Sequence, residues 1–346
     1  MNNDLIIGWD LGGAHVKAVL LDANGLAVQA LQVACPLWRG MDHLTNALDA
    51  IMAAMPHPAR GHAVTMTGEL ADIFSSRAHG VQSLVDAMVR RFGLDAVQIY
   101  AAGQGLQSPT AAPQFVAAIA SANWHASATY LAGQIDEGLL IDIGSTTADL
   151  ILLRHGQVMA QGLTDAERMR HGELIYSGVV RTPVMAVAKQ VPFAGAWQGL
   201  AAEHFATMAD VYRLTGDLSD DCDMADTADG MGKTPTDSAR RLARMLGRDE
   251  ADADMERWRQ LALAIKHQQL RTLQQGVALA LSRGLLDDAA PVLGAGVGRF
   301  LARELSRNMG LNYVDVSHWV TAAPAASDWA ASCLPAYAVA RLAQHG

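Results

Sequence analysis

Cysteine is scarce in this chain and follows no pattern. Cys35, Cys222 and Cys333 are the 3 cysteines among 346 residues, far apart and without a CxxC pair. An odd, scattered set argues against a disulfide scaffold and against a structural zinc site, and fits a reducing cytoplasm. Positive charge is also short. Lys and Arg number 26 against 35 Asp and Glu, for a formal net charge of -9 and a pI near 5.7. A field of that sign opposes non-specific binding to nucleic acid or anionic lipid, and leaves room only for a local basic pocket. No uncharged run approaches the ~18–20 apolar residues that span a bilayer, so no membrane association is expected. The opening MNND carries no basic n-region, so no signal peptide is expected either. The chain reads as soluble and cytoplasmic.

What is present is a globular composition, 51% hydrophobic and 18% charged. That suffices for about two domains, each with its own core. The first segment alternates short apolar runs with turns. Leu5 to Trp9 and Val16 to Leu21 flank Gly12-Gly13, and Asn24-Gly25 sends the chain back through Leu26 to Val33. The spacing predicts helices over 41–55 and 80–92 and strands over 63–66 and 97–101. From Trp197 the pattern turns helical. An acidic loop covers 217–229, and helices follow over 238–247 and 255–286. A strand over 290–293, a glycine turn, a helix from Arg299, a strand over 313–316 and a closing helix over 326–343 complete an α/β pattern.

One motif occurs twice. WDLGGAHVKAVLLD (9–22) and DIGSTTADLILL (142–153) align Asp10 with Asp142, Gly12 with Gly144 and Lys17 with Asp149. A glycine turn between strands lets backbone N–H groups cradle a phosphate. A strand-end aspartate adds a hard oxygen ligand for Mg²⁺ or orients a nucleophile. Ser145, Thr146 and Thr147 add hydroxyls. One DxG turn is merely a hairpin turn; a matched pair on facing domains grips a polyphosphate from two sides. A third element, PVLGAGVGRF (291–300), places Gly294, Gly296 and Gly298 before a helix. This is a GxGxG rather than a full dinucleotide fingerprint, but it is still an anion site or a platform for a flat ring.

The three elements, in this order, resemble the actin-like ATPase superfamily of sugar kinases, Hsp70 and the hydantoinase/oxoprolinase group. The resemblance implies a duplicated ribonuclease H-like α/β fold with a central cleft. Residues 1–137 would form the first domain. Residues 138–346 would form the second, with a helical and acidic-loop insertion at about 197–255. Further segments narrow it: TGELADIFSSRAHGV (67–81), RHGELIYSGVVRTPV (170–184) and DMADTADGMGKTPTDSARRLARMLGRD (223–249). They are similar to hydantoinase/oxoprolinase-like proteins of the tetrahydromethanopterin-linked C1 pathway, whose archaeal relatives are synthases of methanofuran biosynthesis. The resemblance implies a transferase that joins a furanylmethyl diphosphate to the phenol oxygen of glutamyl-tyramine or tyramine, with diphosphate released. A methylotrophic bacterium is the setting it implies, with small-molecule partners and a homodimer as a compatible assembly.

Roles follow from that chemistry. Asp10 and Asp142 would bind Mg²⁺ or order its water. Gly12, Gly13, Gly144, Ser145, Thr146 and Thr147 would contact diphosphate, and Gly294, Gly296 and Gly298 a nucleotide; whether ATP binds is left open, and it is not expected to be consumed. Lys17, Lys233 and Arg181 would neutralise charge, with Lys17 counted among the catalytic groups. His15 would donate to phosphate or accept a proton, or simply pack in its turn. Glu69 would act at a strand end, beside Asp72, or cap a helix. Glu173 and Tyr176 would line the substrate pocket. Asp223, Asp226 and Asp229, spaced by three, would share a helix face and chelate Mg²⁺-diphosphate, or be a solvated loop; Asp226 and Asp229 are the substrate candidates among them. Two rivals stand beside this reading: an ATP-dependent kinase or amide-ring hydrolase of the same fold, and a non-catalytic nucleotide-binding switch.

Overall fold

The structure, a computed structural model, describes residues 5–345. Strands β1 (Ile6–Leu11), β2 (His15–Leu21) and β3 (Ala27–Ala34) form an antiparallel meander. β4 (Gly61–Met66) and β5 (Val97–Ala101) extend it in parallel on the other side of β1, and β6 (Gly105–Gln107) closes the edge. The second sheet repeats the plan. β7 (Glu137–Ile143) and β8 (Ala148–Arg154) make the hairpin, and β9 (Gln157–Val158) and β10 (Leu174–Ile175) both pair with β8. A separate hairpin, β11 (Gln190–Phe193) and β12 (Ala196–Gly199), follows. β13 (Val292–Ala295) and β14 (Tyr313–Asp315) then add in parallel beside β7. The order β3-β2-β1-β4-β5 thus recurs as β10-β8-β7-β13-β14. This is the duplicated ribonuclease H-like α/β fold of the actin, Hsp70 and sugar-kinase type.

The central strands β1, β2, β7 and β8 read as largely apolar runs because both of their faces are covered. In β2, Val16, Ala18 and Leu20 join an outer core with Leu84 and Met88, while Val19 and Leu21 join an inner one. In β8, Leu150 and Leu152 face outward to Val211 and Leu261, while Ile151 and Leu153 face inward. The alternation is the two-residue period of a strand. Two helices, Asn123–Ala132 and Leu334–His345, fill the inner layer between the sheets with Trp124, Leu131, Leu334 and Tyr337. The closing helix therefore packs on β1, β2 and β4 of the first sheet, although it follows the second in sequence. Contact is close there. A Cβ on Gly8 would lie 1.9 Å from the Ala336 carbonyl oxygen and 2.8 Å from the Ala340 Cβ. Gly8→Ala is expected to destabilise the protein by about 1–3 kcal/mol, as overpacking does, read as a lower denaturant midpoint; an unchanged midpoint would show that the helix can move away freely.

Local chemistry explains where the elements depart from expectation. Trp197 lies on β12, not in a helix, because Ala194 (φ 50°) and Gly195 (φ 82°) turn the chain back as a two-residue hairpin. Alanine gives little warning of that conformation. The helix expected from Ser238 begins at Pro235 and runs to Met245. Proline suits the first helical turn, and Thr234 and Asp237 form a capping box. The long helix ends at Leu281. The acidic stretch forms no helix beyond a short turn at Asp220–Cys222, and its aspartates do not share a face. Asp223 is buried on Arg213, Asp226 reaches Arg39, and Asp229 pairs with Arg241 and Arg244. Among the described residues no helix is long and apolar enough to cross a membrane.

Candidate active site

The two matched turns are built alike. The Gly12 N–H donates to the His15 carbonyl (3.0 Å), and the Gly144 N–H to the Thr147 carbonyl (2.8 Å). In register, Asp10 lies opposite Lys17, and Asp142 opposite Asp149. Each turn is braced from behind. The N–H groups of Leu37 and Cys35 donate to the carbonyls of Gly13 (3.0 Å) and Ala14 (2.8 Å). Those of Gly178 and Arg181 donate to the carbonyls of Thr146 (3.0 Å) and Ser145 (2.9 Å). Gly178 permits the second brace, since a Cβ there would lie 2.4 Å from Ser145 backbone. The braces occupy the turns' carbonyls and leave their donors. Among the described residues, the N–H groups of Gly13, Ala14, Ser145 and Thr146 find no protein acceptor, and neither does the buried Ser145 Oγ. Facing backbone donors of this kind make an anion cradle.

A cavity of about 420 Å³ lies between the turns. Its charged wall holds Asp10, Lys17, Asp142, Asp149, Arg168 and Arg181. Its flat wall holds Trp38, Trp124 and Tyr176. The arginines sit on the aromatics, Arg168 at 3.9 Å from the Trp124 ring centre and Arg181 at 5.1 Å from that of Trp38. Arg168, almost fully buried, also donates to Asp149 Oδ1 at 2.6 Å. Arg181 makes no ion pair among the described residues.

Lys17 lies 3.6 Å from Asp10. Burial is the largest single influence and would lower its amine, but the nearby acidic groups, Asp10 first and then Cys333 and Asp142, together outweigh it and hold the amine above the ordinary range. Burial, then the Asp149 charge, pushes the Asp142 carboxyl up to about 7. Burial and the cations Lys17 and Arg181 push His15 down to about 4, so it is neutral at pH 7. Asp10 Oδ1 has no hydrogen-bond partner. An unsatisfied carboxylate oxygen beside a carboxyl held near neutrality fits a divalent cation. The described residues contain one three-ligand grouping, Asp136, Glu137 and His155 at the other end of β7, and there the side chains are already paired, His155 with Asp136 and Glu137 with Arg154.

The cavity gathers many of the candidate residues and leaves others out. Asp10, Gly13, His15, Lys17, Asp142, Gly144, Ser145, Thr146, Thr147, Tyr176 and Arg181 line it. Gly12 sits one step behind, where a Cβ would meet the His15 carbonyl at 2.7 Å. Glu69 lies behind the wall, its Oε1 accepting from Ser121 at 3.0 Å, while Asp72 lines the cavity in its place. Glu173 organises a loop by accepting the Gln161 and Gly162 N–H groups at 2.6 and 3.1 Å. Asp229 and Lys233 are held in ion pairs away from the cavity, Lys233 with Asp223 at 3.3 Å. Gly294, Gly296 and Gly298 let their turn pack on protein. A Cβ at each would strike, respectively, the Tyr313 ring (2.4 Å), the Ile143 carbonyl (2.3 Å) and the Ile143 side chain (2.5 Å). Sequence reasoning missed Trp38, Asn123, Trp124, Asp165 and Arg168. The Thr164–Glu167 capping box signals the helix Asp165–Arg170, but nothing local signals that Arg168 turns inward. Ser121, with φ 53°, is a strained non-glycine residue on the wall.

The chain is 29% identical over 285 residues to a (4-{4-[2-(gamma-L-glutamylamino)ethyl]phenoxymethyl}furan-2-yl)methanamine synthase of Methanocaldococcus jannaschii, covering 82% of this chain and 84% of that protein. A protein of the same name from Methanococcus vannielii is 30% identical over 123 residues, 35% of this chain and 55% of its own. The solved structure of a nucleotide-free acetone carboxylase superposes with a TM-score of 0.57 at 10% identity, over 97% of this chain and 70% of that one, a likeness of fold alone. The hydantoinase/oxoprolinase model matches residues 60–334, and the chain belongs to that family.

Proposed function

We propose that this protein is a transferase of methanofuran biosynthesis, joining a furanylmethyl diphosphate to the phenol oxygen of γ-glutamyl-tyramine or tyramine. The name of its relatives supports the product class. One observation carries the chemistry: a single cavity sets an anion cradle against aromatic walls, the two surfaces that a flat ring bearing a diphosphate requires. The carbon–oxygen bond to diphosphate breaks and its electron pair leaves with the diphosphate. The phenol oxygen bonds to the furanylmethyl carbon and loses its proton to a base. The unpaired N–H groups of Gly13, Ala14, Ser145 and Thr146, with Lys17 and Arg181, receive the departing charge, and fixed donors are most effective where charge develops. Trp38 and Tyr176, the exposed aromatics of the wall, hold the rings.

Asp10 and Asp142 would hold Mg²⁺, which when bound supplies positive charge to the diphosphate. Incubation with furanylmethyl diphosphate, tyramine or glutamyl-tyramine, and Mg²⁺ is expected to release diphosphate and yield the aryl ether by mass spectrometry. Robust hydrolysis of ATP without ether formation would overturn the reading in favour of an ATP-dependent enzyme.

A further inference from the structure

A second cavity of about 260 Å³ adjoins the first. His15, Trp38 and Arg181 line both, so the two are chambers with a common wall. The second chamber opens between the strand-turn segment after β3 and the acidic loop. At its mouth Arg39 Nη2 and Asp226 Oδ2 form an ion pair at 2.9 Å, with side chains 55% and 76% exposed. These residues come from opposite halves of the chain.

We propose that this chamber receives the far end of the acceptor, and that Arg39 and Asp226 recognise a zwitterionic amino-acid head. The inference rests on the transferase reading above. An acceptor whose phenol lies in the first cavity and whose tail ends in an α-carboxylate and an α-ammonium needs a path past the ring, with one cation and one anion at its end. Trp38, on the wall between the chambers, offers an apolar face for the linker. Arg39 and Asp226 supply the opposite charges side by side. Their mutual pair is exposed, so it contributes little to stability. A zwitterion inserting between them leaves neither charge bare: its carboxylate replaces Asp226 at Arg39, and its ammonium replaces Arg39 at Asp226. A carboxylate on a guanidinium is the stronger, two-pronged contact. This role also accounts for an acidic loop whose aspartates do not converge on one metal.

The test compares glutamyl-tyramine with tyramine. In Arg39→Gln and in Asp226→Asn, the kcat/KM ratio favouring glutamyl-tyramine is expected to fall about tenfold or more, the worth of one charged hydrogen bond. The KM for the furanylmethyl diphosphate should not rise with it. The charge-swapped double variant Arg39→Asp with Asp226→Arg separates recognition from scaffolding. It restores an ion pair, so a structural role predicts rescue; recognition predicts that the preference stays lost. Calorimetric titration of wild type and variants with glutamyl-tyramine and with tyramine reads the same preference without turnover. Failure of wild type to make ether would thus strike the transferase reading, not this one. Equal binding of both acceptors, an unchanged ratio in the single variants, rescue by the swap, or a rise in donor KM alone would overturn the chamber's assignment.

Discussion

Arg168→Met is expected to cost about 3–5 kcal/mol of stability, the loss typical when one member of a buried ion pair is removed. The guanidinium is nearly inaccessible, bonded to Asp149 at 2.6 Å and to the Glu173 carbonyl at 3.2 Å, and stacked on Trp124. Without it, the Asp149 carboxylate keeps only the weaker influence of Lys17. Burial already pushes Asp149 up, and Arg168 is the main group opposing that shift. The loss should therefore grow as pH rises, because it is the charged form of Asp149 that needs the partner. Adding Asp149→Asn should recover a large part of the stability but not turnover, because both residues line the cavity. Denaturant titrations of the double-mutant cycle check this; additive losses would mean that the pair is not coupled.

Asp142→Asn is expected to do the reverse: stabilise the ligand-free protein while lowering turnover at least a hundredfold. The sign follows from the carboxyl's position. In the fold it is held up to about 7, from an ordinary value of 3.8. The folded state thus disfavours the charged form, and the cost is absent below about pH 4, grows between 4 and 7, and is complete above 7. Asparagine removes that cost. The variant should match wild type at about pH 4 and below and exceed it at pH 8, on the order of 2–4 kcal/mol. Mg²⁺ should stabilise wild type and not the variant if Asp142 is a ligand. A variant less stable at pH 8 than at pH 5, relative to wild type, would contradict the buried-charge account. Stability gained on removing a functional charge is what a site strained for its ligand predicts.

How much of this was legible varies by element. The repeated turns could be read because their requirements are local: a glycine where the backbone folds tightly, an aspartate at the strand end, and unbroken apolar strands on either side. Asp10, Lys17, Asp142 and Ser145 reach the cavity for that reason. The GxGxG turn was equally conspicuous, yet its glycines serve packing against Ile143 and Tyr313. Close approach to protein and close approach to a ligand leave the same mark in a sequence. The acidic spacing of Asp223, Asp226 and Asp229 suggested one helical face, but arginines 39, 213, 241 and 244 draw the side chains apart. Those partners lie up to 187 residues away, and no local pattern announces them.

By itself the sequence determined the duplicated α/β architecture and the two matched glycine turns, because strand periodicity and turn geometry depend on residues a few positions apart. Only the tertiary structure decided which charges meet. It turned Arg168 inward onto Trp124 and Asp149, set Trp38 and Arg181 between two chambers, moved Glu69 behind the wall, and sent the closing helix back to the first sheet. Burial and ion pairing depend on distance in space, and their energies depend on how much water is excluded, which one position in a chain does not encode.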